Sequence, residues 1–234
     1  MSQSADVCIY GDSIMRGTIP VALAKYKFTV GEYLDRLAAR FPLRILNRAR
    51  FGAPVTKGAA LLKQDLARSV TARYALLEFG GNDCNFNWVE VSASPEREHF
   101  PKTSLPVFTE TLEAMADDLV RAGSQPVLMT LPPIDAERYL DTICAAPDCS
   151  RENILRWLGD TQMIYRFQEL YSDAVSRLAA RRGLSLVDVR SLFLDKRNYR
   201  ELISEDGIHP SSQGYSIILS AFQDRLEALS RASV

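Results

Sequence analysis

The sequence predicts a three-layer α/β/α sandwich built on a parallel sheet. Two observations carry that expectation. Short apolar runs alternate with longer amphipathic stretches along the whole chain. The short runs are nearly continuously apolar, as strands are when helices cover both faces of their sheet. No composition break, repeat or low-complexity segment divides the 234 residues, so one domain spanning 1–234 is expected.

The elements follow in order. DVCIY (6–10) is a buried strand. TVGEYLDRLAARF (29–41) places Val30, Tyr33, Leu34, Leu37 and Ala38 at helical spacing. LRILN (43–47) is a strand, 56–70 a helix, and YALLEFG (74–80) a strand. The helix over 105–123 ends at Gly123, a favoured C-cap. QPVLMTL (125–131) is a strand, 162–183 a helix closed by Gly183, LSLVDV (184–189) a strand, and 211–229 the last helix. Two connections are long, 84–105 and 132–161. Each follows a strand at its carboxyl end, where open parallel sheets bind ligands, so both are expected to be substrate-site or lid elements.

Composition excludes several classes. Apolar residues make up 47% and charged residues 24%, with a net charge of -1, so there is no footprint for nucleic acid or an anionic membrane. No apolar run approaches the roughly 18 residues of a membrane span. The N-terminus carries neither a basic segment nor a long apolar one, so a cytoplasmic location is expected. Four cysteines are too few for a disulfide scaffold at this length, and Cys144 and Cys149 are expected as reduced thiols. With two histidines and no C-x-x-C pair, no metal site is expected. If the chain associates, the default is a twofold homodimer.

Chemistry-bearing residues gather at the strand ends. Gly11-Asp12-Ser13 follows the first strand, Gly52 the second, and Gly80-Gly81-Asn82-Asp83 the third. Asp206 and His209 in EDGIHP follow the last strand. Each has an ordinary reading as turn or cap chemistry. Together they supply an acyl-transfer site. A serine hydroxyl needs a base, and histidine serves near neutral pH. The histidine needs a carboxylate to hold its tautomer. Asp206 and His209, three apart, would share one face of a helical turn. Backbone N–H groups and an asparagine amide suit an oxyanion. His99, the competing base, reads as exposed in a polar loop. Cys84, the competing nucleophile, reads as a pocket-lining thiol. The P-loop, the dinucleotide-binding glycine pattern and the G-x-S-x-G elbow are all absent.

These blocks, YGDSIMRG, NRARFGA, FGGND and DGIHP, resemble those of the SGNH hydrolases, also called GDSL esterases, in order and spacing from residue 9 to 210. The resemblance implies a flavodoxin-like sheet of five parallel strands in the order 2-1-3-4-5, and ester hydrolysis through an acyl-serine intermediate without metal or cofactor. It implies Ser13 as nucleophile, His209 as base and then acid, and Asp206 as the residue orienting His209. The oxyanion hole would be the Ser13 and Gly52 N–H groups and the Asn82 amide. Asp12 and Asp83 would be structural. Phe86, Trp88 and Tyr139, from the long connections, are candidates to contact substrate. The expected reaction is hydrolysis of a small acyl ester, preferably deacetylation of a carbohydrate or similar polar alcohol. A lipase or thioesterase of the same family, or a non-catalytic flavodoxin-like binding module, stands as the alternative.

Overall fold

The computed structural model describes residues 4–22, 25–28, 34–35 and 43–231. Five parallel strands form its sheet: β1 (Ser4–Gly11), β4 (Ile45–Asn47), β5 (Thr71–Glu78), β6 (Gln125–Met129) and β7 (Ser185–Val187). Their spatial order is β4-β1-β5-β6-β7, which is 2-1-3-4-5 when the strands of this sheet are counted along the chain. In register, Ile9 pairs with Asn47 and Leu76, and Gly11 with Glu78.

Alternate residues of each strand feed two cores, as the pleat requires. On one face Val7, Ile9, Leu76, Val127 and Met129 meet α7 (Val189–Leu194) through Phe193 and α8 (Ser212–Arg231) through Tyr215, Ile218, Phe222 and Leu226. On the other, Cys8, Tyr10, Leu77 and Leu128 meet α1 (Val55–Ala67), α3 (Leu105–Arg121) and α6 (Gln162–Arg182). Phe108, Leu112, Met115 and Leu119 supply the α3 stripe at helical spacing. A Leu or Phe buried this fully contributes about 1.5–3 kcal/mol by area. The helix expected over 29–41 lies outside the described residues, save Leu34 and Asp35, which are helical.

Two features differ from expectation. An antiparallel hairpin, β2 (Thr18–Ala22) and β3 (Lys25–Phe28), stands apart from the main sheet just after Ser13. The long connections are not bare loops. The first carries α2 (Trp88–Ala93); the second carries α4 (Ala136–Cys144) and α5 (Arg151–Leu158). Their apolar residues face one another: Phe86, Trp88 and Val91 pack with Ile134, Leu140, Ile143, Ile154 and Leu158 in a third core. Polar bonds join the same segments, Ser150 N–H to Ser92 Oγ at 2.7 Å and Asn153 Nδ2 to Ser92 O at 2.8 Å. The two connections thus form one helical cap at the carboxyl ends of β5 and β6. Among the described residues all four cysteines are free, and no helix is long and apolar enough to cross a membrane.

Candidate active site

β1 ends at Gly11, and the chain turns sharply into Asp12-Ser13. Asp12 makes that turn: its Oδ1 accepts the Ile14 N–H at 2.9 Å, a side chain binding its own backbone two residues on. Ser13 is buried, and its Oγ lies 3.0 Å from His209 Nε2. On the far side of the ring, His209 Nδ1 lies 2.5 Å from Asp206 Oδ2. A carboxylate only accepts, so Nδ1 carries the proton there and Nε2 offers its lone pair to the Ser13 hydroxyl.

The Asp206–His209 pair does not sit on a helix, as its spacing suggests. It lies in a turn. Asp206 Oδ1 accepts the N–H groups of Ile208 and His209 at 3.1 and 3.0 Å, and Gly207 takes a φ of +80°. The aspartate that faces the ring therefore also builds the loop that carries it. Burial works against its charge. The His209 hydrogen bond and nearby ring, with the two backbone N–H groups, outweigh burial and hold Asp206 below the usual carboxylate range.

Gly52 occupies the turn after β4 with a φ of +69°, a conformation glycine takes without strain. Neither the Ser13 nor the Gly52 N–H has a backbone acceptor among the described residues. Asn82 lies in the loop after β5, and its Nδ2 donates to Asp12 Oδ2 at 2.8 Å. Ser13, Gly52, Asn82 and His209 all line one cavity. Such convergence matches what an oxyanion site requires: fixed donors beside a hydroxyl that has a base.

Asp12 and Asp83 do structural work. Asp83 is buried and accepts the Val55 N–H at the start of α1, at 3.0 and 3.1 Å. Burial raises its carboxyl to about 6. Asp12 is likewise raised by burial, against the Ile14 N–H, the Asn82 amide and the His209 ring. Beneath it, Glu78 is fully buried with Oε2 3.2 Å from the Asp12 N–H. Burial, with the Asp12 charge beside it, pushes Glu78 well above the carboxylate range.

Phe86, Trp88 and Tyr139 also line the cavity, and they belong to the cap core as well. Tyr26, Phe51, Asn85, Phe167 and Gln168 line it too, without having been singled out in the sequence. Tyr26 comes from the hairpin and meets the His209 ring edge-on at 5.4 Å. Phe51 stacks on that ring at 6.3 Å. Only Phe51, beside Gly52, had a positional clue. Cys84 lines the cavity as expected, and burial holds its thiol far above the usual range. His99 is half-buried rather than exposed, with Nε2 2.9 Å from Ser94 O and its ring against Trp157 at 5.3 Å. It is committed to the cap. Among the described residues no group of three or more His, Cys, Asp or Glu is placed to hold a metal ion.

A family model for GDSL-like lipases and acylhydrolases matches residues 9–217. The chain belongs to that family. Membership makes it an ester-bond hydrolase, and the match runs from β1 into α8, covering every strand-end block. Solved structures agree in fold. A lipase/acylhydrolase from Enterococcus faecalis superposes with a TM-score of 0.65 at 18% identity, covering 97% of this chain and 96% of that one. TesA gives 0.61 at 19% identity, with 97% and 99% covered. An acetylxylan esterase from Geobacillus stearothermophilus gives 0.61 at 18% identity, with 96% and 94% covered. No curated protein matches the chain.

Proposed function

We propose that this family member is a serine esterase that cleaves small acyl esters through an acyl-serine intermediate. One observation carries the reading: the unbroken line Ser13 Oγ, His209, Asp206, with contacts of 3.0 and 2.5 Å. His209 Nε2 takes the Ser13 proton as Oγ attacks the ester carbonyl. The developing oxyanion faces the Ser13 and Gly52 N–H groups and the Asn82 amide. Asp206 stabilises the imidazolium that forms. Collapse breaks the ester C–O bond, and the departing alcohol takes the proton from His209. Water then attacks the acyl-serine, giving its proton to His209, and as the acyl–Oγ bond breaks His209 passes that proton to Ser13 Oγ, freeing the acid.

The acyl group is open to two readings. An acetyl ester of a carbohydrate or other polar alcohol is favoured by the polar side chains Asn85 and Gln168 in the cavity lining. The apolar cap wall of Phe86, Trp88, Ile134 and Phe167 favours a longer acyl chain, as in a lipase or thioesterase.

A fluorophosphonate probe tests the mechanism. Labelling is expected at Ser13 and lost in Ser13→Ala; an adduct elsewhere, or none, refutes it. On p-nitrophenyl acetate, Ser13→Ala and His209→Ala should each lower the rate by more than about 10²-fold, the lower bound for a proton-transfer partner. A series of p-nitrophenyl esters from acetate to octanoate, run beside acetylated sugars, separates the two acyl readings.

A further inference from the structure

The cap wall of the catalytic cavity holds a polar group that the proposed chemistry leaves unused. Asn85 Oδ1 accepts three hydrogen bonds: from the Phe86 N–H at 3.0 Å, the Trp88 Nε1–H at 2.8 Å and the Tyr139 hydroxyl at 3.0 Å. A backbone N–H and an indole N–H only donate, so the atom they meet must be the amide oxygen. The side chain cannot flip without setting donor against donor. Its nitrogen is thereby fixed on the opposite side. Nδ2 has no acceptor among the described residues and is not sealed away from water. Asn85 lines the cavity.

The neighbouring polar groups on that wall are occupied. The Tyr139 hydroxyl is committed to Asn85. Gln168 donates from Nε2 to Pro132 O at 2.8 Å and accepts at Oε1 from Arg190 Nη1, also at 2.8 Å. Around them stand Phe86, Trp88, Ile134 and Phe167. A locked donor in an apolar wall discriminates between ligands more sharply than one in water. A ligand that lacks an acceptor strips water from it and returns nothing.

We infer that Asn85 is a specificity residue, donating an amide N–H to an oxygen acceptor (hydroxyl, ether or carbonyl) carried by the half of the substrate that enters the cavity. The inference rests on the esterase reading above and narrows its substrates to oxygenated esters over plain alkyl ones.

Matched ester pairs test it. On the acyl side the pair is p-nitrophenyl 3-methoxypropanoate and p-nitrophenyl pentanoate, which differ by an ether oxygen, an acceptor only, in place of a methylene. On the alcohol side it is 2-methoxyethyl acetate and n-butyl acetate. Each pair gives a ratio of kcat/KM, oxygenated over alkyl. Asn85→Asp is the informative variant: it keeps an oxygen for all three donors and replaces the N–H with an acceptor. That ratio should fall by about 3- to 10-fold from wild type to Asn85→Asp in one of the two pairs, the range for one neutral hydrogen bond. The responding pair identifies which half of the ester lies against the cap.

A variant-free reading guards against misfolding. The wild-type ratio, divided by the ratio for hydroxide-catalysed hydrolysis of the same esters, should exceed one by a similar factor. Unchanged ratios in both pairs, with Ser13 still labelled by a fluorophosphonate, overturn the role of Asn85 alone. Absence of labelling in wild type overturns the esterase reading and this inference with it.

Discussion

Asp12 Oδ2 accepts the Asn82 side-chain amide at 2.8 Å, joining the loop that carries Ser13 to the loop after β5. Asp12 is fully buried and its other oxygen holds the Ile14 N–H at 2.9 Å. Its position is therefore fixed from both sides, and it fixes Asn82 in turn. One Asn82 N–H is held by Asp12, which leaves the second to face the cavity.

That geometry makes Asp12 a positioning residue, and a double-mutant cycle reads it. If Asn82 serves as the proposed oxyanion donor, Asn82→Ala should cost about 10²–10³ in kcat. Asp12→Ala should cost less, through a misaimed Asn82. Combined, the two should cost little more than Asn82→Ala alone, because residues that act through one another do not add. Additive losses would show that Asp12 acts by some other route.

Gly52 is a purely conformational requirement. Its φ is +69°, and a Cβ built there meets nothing within 4 Å. Gly52→Ala should therefore cost only the left-handed backbone strain, about 1–2 kcal/mol, seen as a lower denaturant midpoint. If the backbone relaxes instead, the Gly52 N–H turns away from the cavity and kcat falls while KM holds. Full stability together with full kcat would remove Gly52 from the site.

The residues legible in the sequence were those whose conjunction has one meaning, although each alone reads as turn or cap chemistry. Ser13, Gly52, Asn82, Asp206 and His209 each follow an apolar strand, and strand-end placement alone put them at one edge. Strand order came from the family resemblance, not from periodicity. The cap was not legible. The six residues of α2 are too few to show a helical stripe, and α4 and α5 turn their apolar sides to the start of α6 and to α2 in a separate core rather than to the sheet. Glu78 was hidden for the opposite reason. A charged residue ending a strand reads as solvent-facing, yet Glu78 is fully buried with its carboxyl against the Asp12 N–H. Asn85 reads as one more polar turn residue after GGND. Its role depends on Trp88 and on Tyr139, which is 54 residues away.

Asp83 gives the fold a pH signature. Burial raises its carboxyl to about 6, against about 3.9 in an unfolded chain. The folded state thus holds this proton more tightly, and unfolding between those values releases it. Stability from this group is greatest below about 4 and falls as pH rises to about 6, by about 3 kcal/mol in all. Asp83→Asn removes the slope. Relative to wild type, the variant should gain stability as pH rises from 4 to 7 and show no further relative change above that. Urea melts at several pH values test this, and a constant difference across the range would refute it.

The cap and the His209 turn are built against each other at Gly207. Its carbonyl accepts the Asp135 N–H at 2.8 Å, and Thr142 Oγ1 donates to Asp206 O at 3.1 Å. A Cβ at Gly207 would lie 2.4 Å from Tyr139 N and 2.6 Å from Asp135 O. Both are backbone atoms that no rotamer change can move, and the φ of +80° adds strain of its own. Gly207→Ala must therefore push the Asp206–His209 turn away from α4. Activity should fall further than in Gly52→Ala, since His209 shifts as well as the cavity wall. The cap should also loosen, so amide exchange across 136–144 should quicken more than in β5 or β6. A variant with full activity and unchanged exchange would show that the turn and the cap are independent.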